Sequence, residues 1–310
     1  MGWKVVHLTK PCKIKVKNEN LVLFFYESED EVKVTLKDID FILFDSTLFS
    51  ITGKSIELLA KNNIAALFID KEFHPSAILL PYHKHSTMTE IAHIQISITR
   101  EFKQQVWQDI IKAKILNQAK VLEFFGNDTH KELGLFAQKV QLCDKNNDEA
   151  QSARLYWKHV FDNPRFRREQ GGKDILNSML NYTYAILRAT MARHVSAGGL
   201  LPVFGIWHQN KYNAFNLVDD LIEPFRAICD LHVKMLSKKY SNAVSLNVQI
   251  KQEIVALLGL ECVTINNGKT SLNRAVELFV INYKKSMLYD DTTLAVYPTI
   301  NTEIFKNECF

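Results

Sequence analysis

The sequence predicts an α+β protein: a small amino-terminal β-rich domain, residues 1–85, followed by a larger all-α domain, residues 86–310. Three observations carry this division. Up to about Leu80 the apolar residues fall in short runs of strand length. Beyond Pro81 they recur at three- and four-residue steps. The chain's punctuation changes at the same place, with no proline between Pro81 and Pro164 and no glycine from Lys54 to Phe125.

Taken in order, KIKVK (13–17) and LVLFFY (21–26) read as strands, separated by the polar corner Asn18, Glu19 and Asn20. Asparagine tolerates the left-handed backbone of a tight turn, so the corner suits a hairpin. Val32, Val34 and Leu36 alternate with Glu31, Lys33, Thr35 and Lys37, the period of a half-buried strand. FILF (41–44) and IAALFI (64–69) read as further strands, and Thr52 can cap a short helix through Ser55, Leu58 and Leu59. Tyr82–Ser86 reads as a linker. After it, Ile98, Phe102, Val106, Ile110 and Ala113 mark a long amphipathic helix, with similar patterns at 149–162, 174–195, 219–238, 245–258 and 271–288. The last twenty residues, from Asp291, lack periodicity and read as a mobile tail.

Composition narrows the class of protein. With 47% hydrophobic and 23% charged residues the chain is an ordinary folded one. Five widely spaced cysteines, none in a C-x-x-C pair, fit a reduced cytoplasmic setting better than a disulfide framework. The amino terminus has no apolar stretch of signal-peptide length, and no uncharged run suits a spanning helix, so neither export nor membrane insertion is expected. The net charge, 38 basic against 34 acidic side chains, is too mild to imply nucleic acid by itself. Its distribution says more. Between Gln151 and Val195, Arg154, Lys158, Arg165, Arg167, Arg168, Lys173, Arg188 and Arg193 face only Asp162, Glu169 and Asp174, with Tyr156, Trp157, Phe166, Tyr182 and Tyr184 interleaved. Arginine binds phosphate through paired donors and aromatic rings stack on bases, so this window suits a nucleic-acid surface; a solvated helix face is the plain alternative.

No phosphate-binding loop, dinucleotide fingerprint, H-E-x-x-H or G-x-S-x-G occurs, which removes the chemistries those motifs serve. Two polar groupings remain. Glu149 lies in NNDEAQSARLYW, where Asn146 or Asn147 can cap a helix and place Glu149 in its first turn. GIWHQNKYNAFNLVDDLIEPFR (205–226) sets His208 after a glycine-containing turn, then Asp220 and Glu223 three residues apart so that both can face one way, with Arg226 a turn further on. Carboxylates with one imidazole suit Mn²⁺ or Mg²⁺ rather than a structural zinc ion. The plain alternative is an acidic helix start paired with Arg226 and a satisfied core histidine.

These residues resemble the CRISPR-associated integrase, the spacer-acquisition endonuclease that is the first-numbered Cas protein, in its type II form. The resemblance runs through GWKVVHLTKPCKIKVKNENLVL, EAQSARLYW, LNYTYAILRA, GGLLPVFG and GIWHQNKYNAFNLVDDLIEPFR, and so through nearly the whole chain. It implies an amino-terminal β dimerisation domain and a helical catalytic domain. It implies that Glu149, His208 and Glu223 bind Mg²⁺ or Mn²⁺, and that Asp220 supports them. It implies that the 3′-hydroxyl of a DNA fragment attacks a phosphodiester at the edge of a CRISPR repeat, water taking its place in nuclease activity. Arg154, Arg165, Arg167, Arg168, Arg188 and Arg226 are the candidates for DNA contact. Double-stranded and branched DNA are the expected substrates. The expected assembly is a homodimer, two copies of which flank a dimer of the second-numbered Cas protein in a heterohexamer. The competing expectation is a non-catalytic DNA-binding scaffold whose acids are structural.

Overall fold

The structure is a computed structural model that describes residues 4–28, 30–70, 75–81, 87–144, 146–163 and 165–306. The chain divides into two compact units, Met1–Ser86 and Thr87–Phe310. The linker expected at Tyr82–Ser86 lies outside the described residues.

Among the described residues, the first unit holds two four-stranded sheets. Its elements are β1 (Lys4–Leu8), β2 (Cys12–Lys17), β3 (Asn20–Phe25), β4 (Glu31–Thr35), β5 (Ile39–Phe44), β6 (Phe49–Ile51), α1 (Gly53–Lys61), β7 (Ala65–Ile69) and β8 (Pro75–Leu79). One sheet has the order β1-β5-β7-β8, with β1, β5 and β7 parallel and β8 antiparallel. All six residues of β5 are buried, as expected where an apolar run is covered on both faces. The other sheet has the order β4-β3-β2-β6. Its hairpin is tighter than the sequence suggests: Asn18 (φ 50°) and Glu19 (φ 58°) alone make the turn, and Asn20 already pairs with Lys17. Thr52 caps α1 by accepting the Ser55 amide. The alternation at 31–37 does form β4, yet β4 is an edge strand and Val32 is exposed, so it is not half-buried along its length.

The second unit comprises α2 (Met88–Ser97), α3 (Arg100–Phe124), α4 (Thr129–Lys139), α5 (Asp148–Val160), α6 (Ile175–Ala197), α7 (Asn216–Leu221), α8 (Arg226–Lys239), α9 (Val248–Ala256), β9 (Val263–Ile265), β10 (Gly268–Thr270), α10 (Leu272–Tyr289), β11 (Thr299–Ile300) and α11 (Glu303–Lys306). It is mainly helical but not all-α, because β10-β9-β11 form a small antiparallel sheet. From Asp291 to Lys306 the chain is not a loose tail, since Thr299 and Ile300 pair with β9 and Phe305 is buried; residues 307–310 lie outside the described residues. The long helix begins after Ile98, which closes α2, while Thr99 caps α3 by accepting the Phe102 amide. Nor is 219–238 one helix. Proline lacks a donor and its ring crowds the carbonyl four residues back, so Pro224 ends α7, imposes a short 3₁₀ turn at Glu223–Phe225 and lets α8 start afresh.

α3 is the central helix, packing against α4, α5, α8 and the 3₁₀ turn. The buried Asn117 amide on α3 donates to the carbonyls of Pro224 (2.7 Å) and Pro298 (3.0 Å), and its oxygen accepts the Ile300 amide (3.1 Å). Truncation would leave three buried backbone groups unsatisfied, so Asn117→Ala should cost about 3 kcal/mol and lower the thermal midpoint by several degrees. His194 is a second fixed point: it is buried, its Nε2–H donates to Asn273 Oδ1, and burial, aided by Arg193, depresses its pKa to about 3. An unfolded histidine protonates near 6.5, so this contribution to stability is complete above that pH and is lost as pH falls toward the folded value. The thermal midpoint should therefore fall between pH 7.5 and pH 5, and His194→Asn should flatten that part of the profile.

Candidate active site

Glu149 is set by a cap that differs from the expected one. Asn147 occupies the N-cap position of α5 in a left-handed conformation, but its side chain makes no capping bond. Asp144 does that work, its two carboxylate oxygens accepting the amides of Asp148 (2.7 Å) and Glu149 (3.1 Å). The half-exposed Glu149 side chain then meets α3, where Lys114 Nζ donates to its Oε1 at 2.6 Å.

The same Lys114 Nζ lies 2.6 Å from Glu223 Oε2. The other oxygen of Glu223, Oε1, accepts from Arg226 Nε at 2.7 Å. Glu223 is buried, and burial alone would raise its pKa; Arg226 and Lys114 outweigh it and hold the carboxyl at about 2. Burial likewise works against the Lys114 ammonium, and Glu223 and Glu149 more than offset it, so its pKa is raised. Arg226 is fixed from behind. Its guanidinium lies 4.8 Å from the centre of the Tyr184 ring, and the Tyr184 and Tyr156 hydroxyls both donate to buried Asp230. Burial pushes the Asp230 pKa up to about 7 against those two hydrogen bonds.

His208 stands on the loop between α6 and α7. Asp220, fully buried on α7, gathers that loop: Oδ2 accepts the amides of Ile206 (2.6 Å) and Trp207 (3.0 Å), and Oδ1 accepts the His208 amide (3.3 Å) and His208 Nδ1–H (2.5 Å). A carboxylate only accepts, so this bond places the ring proton on Nδ1 and leaves the lone pair of the neutral ring on Nε2. The bond to Asp220 raises the His208 pKa, with burial opposing. The turn needs Gly205, because a Cβ there would sit 2.2 Å from the His208 carbonyl oxygen and 2.9 Å from Asp220 Oδ2. Asn216 closes the loop by donating to the carbonyls of Val203, Asn210 and Asn213. The His208 ring is not a core histidine: its side chain is 48% exposed, with its edge against Trp107 of α3, which also stacks on Trp207.

The structure thus brings Glu149 and Glu223 together through Lys114, and ties His208 to Asp220. Asp220 and Glu223 do not share an orientation, since the 3₁₀ turn sends one carboxylate to the His208 loop and the other to α3. Among the described residues no three His, Cys, Asp or Glu side chains lie close enough to hold one ion. The donors nonetheless suit a hard divalent cation. Two glutamates already face one positive charge, and an imidazole on the neighbouring loop has its second nitrogen held in the donor state.

The arginines divide. Arg154, Arg165 and Arg167 are exposed. Arg168 donates to the Glu169 carbonyl and to Asn177, and lies over Tyr184. Arg188 makes a two-pronged contact with Asp219 (2.6 and 3.0 Å) and packs on Phe215, while Arg226 is committed to Glu223.

The family model for CRISPR associated protein Cas1 matches residues 6–255. The chain belongs to this family. It is 32% identical over 285 residues to the CRISPR-associated endonuclease Cas1 of Neisseria meningitidis serogroup C (strain 8013), covering 92% of each chain. Two solved structures share the fold. One is a casposase bound to integration product (TM-score 0.76, 22% identity, 94% of this chain and 93% of that one). The other is a Cas6-RT-Cas1–Cas2 complex (TM-score 0.75, 16% identity, 97% of this chain and 36% of that one).

Sequence reasoning missed Lys114, Asp144 and Asn216. Lys114 reads as one more lysine on an amphipathic helix, and only its burial beneath two glutamates distinguishes it. The loop geometry is open to test. In ¹⁵N spectra of the histidine rings, His208 should show a hydrogen-bonded Nδ1 proton in the wild type. Asp220→Ala and Gly205→Ala should each lose it; its persistence in both would contradict Asp220 as the group that fixes the ring.

Proposed function

We propose that the protein is a divalent-metal-dependent DNA endonuclease and integrase that inserts DNA fragments as new spacers into a CRISPR array. The observation that carries this is the meeting of Glu149 and Glu223 on one cation beside a histidine of fixed tautomer, in a chain of the Cas1 family. Glu149, Glu223 and His208 Nε2 would hold Mg²⁺ or Mn²⁺. When bound, the ion supplies Lewis acidity that stabilises charge on the oxygens of the reacting phosphodiester. The chain's own part is positional. Asp220 keeps the His208 ring oriented, Arg226 keeps Glu223 ionised, and Asp144 holds the first turn of α5 that carries Glu149.

The reaction exchanges one phosphodiester bond for another: a DNA 3′-oxygen bonds to phosphorus, the bond to the leaving oxygen breaks, and the hydroxyl proton passes to that oxygen through solvent. Water in place of the 3′-hydroxyl gives hydrolysis. Arg154, Arg165 and Arg167 would hold phosphates without reading bases, which suits fragments of any sequence. Arg168, Arg188 and Arg226 would act mainly by shaping the site, given the bonds they already make. The proposed assembly is a homodimer formed through the β unit, two of which flank a Cas2 dimer on double-stranded or branched DNA in the cytoplasm. The Cas6-RT-Cas1–Cas2 complex that shares the fold supports the Cas2 partnership, and the casposase bound to integration product supports DNA as the substrate. Among the described residues no helix is long and apolar enough to cross a membrane.

Branched DNA given to the purified protein with Mn²⁺ or Mg²⁺ should be cleaved and joined, and a chelator should stop both. Glu149→Ala, His208→Ala and Glu223→Ala should each lower turnover by about two orders of magnitude or more. Turnover unchanged in these variants would show that the assigned site is wrong; lowered thermal stability in the variants with no metal-dependent activity in the wild type would favour the scaffold reading. Replacing Arg154, Arg165 and Arg167 together by alanine should weaken binding to all sequences alike and flatten its salt dependence by about three phosphate contacts.

A further inference from the structure

We infer that Lys114 is a built-in placeholder for the divalent ion: its ammonium holds Glu149 and Glu223 together in the metal-free protein and must leave the gap between them when the ion binds. This rests on the metal-site reading above and goes beyond it, because it makes the affinity for the ion a property of a residue that never ligates it.

The geometry is specific. Arg226 takes Oε1 of Glu223, so the oxygen that remains for an ion is Oε2, and that is the oxygen Lys114 Nζ lies beside at 2.6 Å. The same ammonium stands 2.6 Å from Glu149 Oε1. It therefore occupies the position from which a cation shared by both carboxylates would contact them. The gap is sheltered, with the Lys114 side chain 11% exposed and that of Glu223 8% exposed, so solvent screens little. A dication entering beside the ammonium would meet strong repulsion. Without any cation, the two carboxylates would repel each other, and among the described residues Arg226 alone would be left paired with Glu223. Lysine suits this duty better than arginine. It is a point charge on a flexible four-carbon stem, able to swing aside without dismantling a planar network. Lys114 is thus a positioning residue that keeps the site assembled when empty of metal and sets a threshold for filling it.

The test compares wild type, Lys114→Met and a control, Lys112→Met, by calorimetric Mn²⁺ titration and thermal melting. Lys114→Met should melt lower than wild type without metal, bind Mn²⁺ about tenfold tighter or more, and gain a larger rise in midpoint on Mn²⁺ addition. Lys112→Met should match the wild type. A second measurement needs no variant. In wild-type protein, acetylation of Lys114 by acetic anhydride, read by mass spectrometry against buried Lys234, should be slow without metal and faster with saturating Mg²⁺. Equal or weaker Mn²⁺ binding by Lys114→Met, or a Lys114 labelling rate unmoved by Mg²⁺, would overturn the inference while leaving the metal site intact. Failure of both wild type and Lys114→Met to bind Mn²⁺ would overturn the metal-site reading itself.

Discussion

One ammonium group, that of Lys114, joins two carboxylates that would otherwise be forced apart. Glu149 sits at the start of α5 and Glu223 on the turn between α7 and α8, and neither element would place its acid beside the other without a positive charge between them. In a sheltered site that interaction is strong, and losing either partner would leave an uncompensated buried charge. Arg226 then completes the balance on Glu223, and the Tyr184–Asp230–Tyr156 group fixes Arg226 from below.

α3 serves as the ruler for the whole site. Trp107, Lys114 and Asn117 fall seven and three residues apart in sequence, a spacing that puts them on one helical face. Trp107 supports the His208 ring, Lys114 receives both glutamates, and Asn117 clamps the turn at Pro224 together with the strand at Ile300. The carboxy-terminal segment, aperiodic in sequence, is therefore part of what holds Glu223 in place. The loop bearing His208 is fixed separately, by Asp220 and Asn216, and it meets α3 through the tryptophan.

Much of this could be read from the sequence, and what could not has physical causes. Apolar runs at 41–44 and 64–69 disclose buried strands because both faces are covered, and Thr52 discloses its helix because capping is local. The edge position of β4 is not local, so alternation at 31–37 overstated its burial. The helix break at Pro224 follows from proline's missing donor, though the apolar periodicity across 219–238 masks it. β11, only two residues long, is too short for any period to show. Glu149, His208, Asp220 and Glu223 stand out by type and spacing, whereas the roles of Lys114 and Asn117 depend on contacts across much of the chain. The basic window is also less uniform than its charge suggests. Arg188, like Arg226 beyond it, neutralises an acid of the site, while Arg154, Arg165 and Arg167 face solvent.

The proposed divalent-metal site of Glu149, His208 and Glu223 requires Lys114 to leave the gap between the two glutamates. The most direct measurement is a crystal structure of the full chain soaked in Mn²⁺, with anomalous scattering to locate the ion. A single strong peak is expected, contacted by carboxylate oxygens of Glu149 and Glu223 and by His208 Nε2, with Lys114 Nζ withdrawn from between the two glutamates. A peak elsewhere, or no peak with Lys114 still bridging both carboxylates, would refute the proposed site.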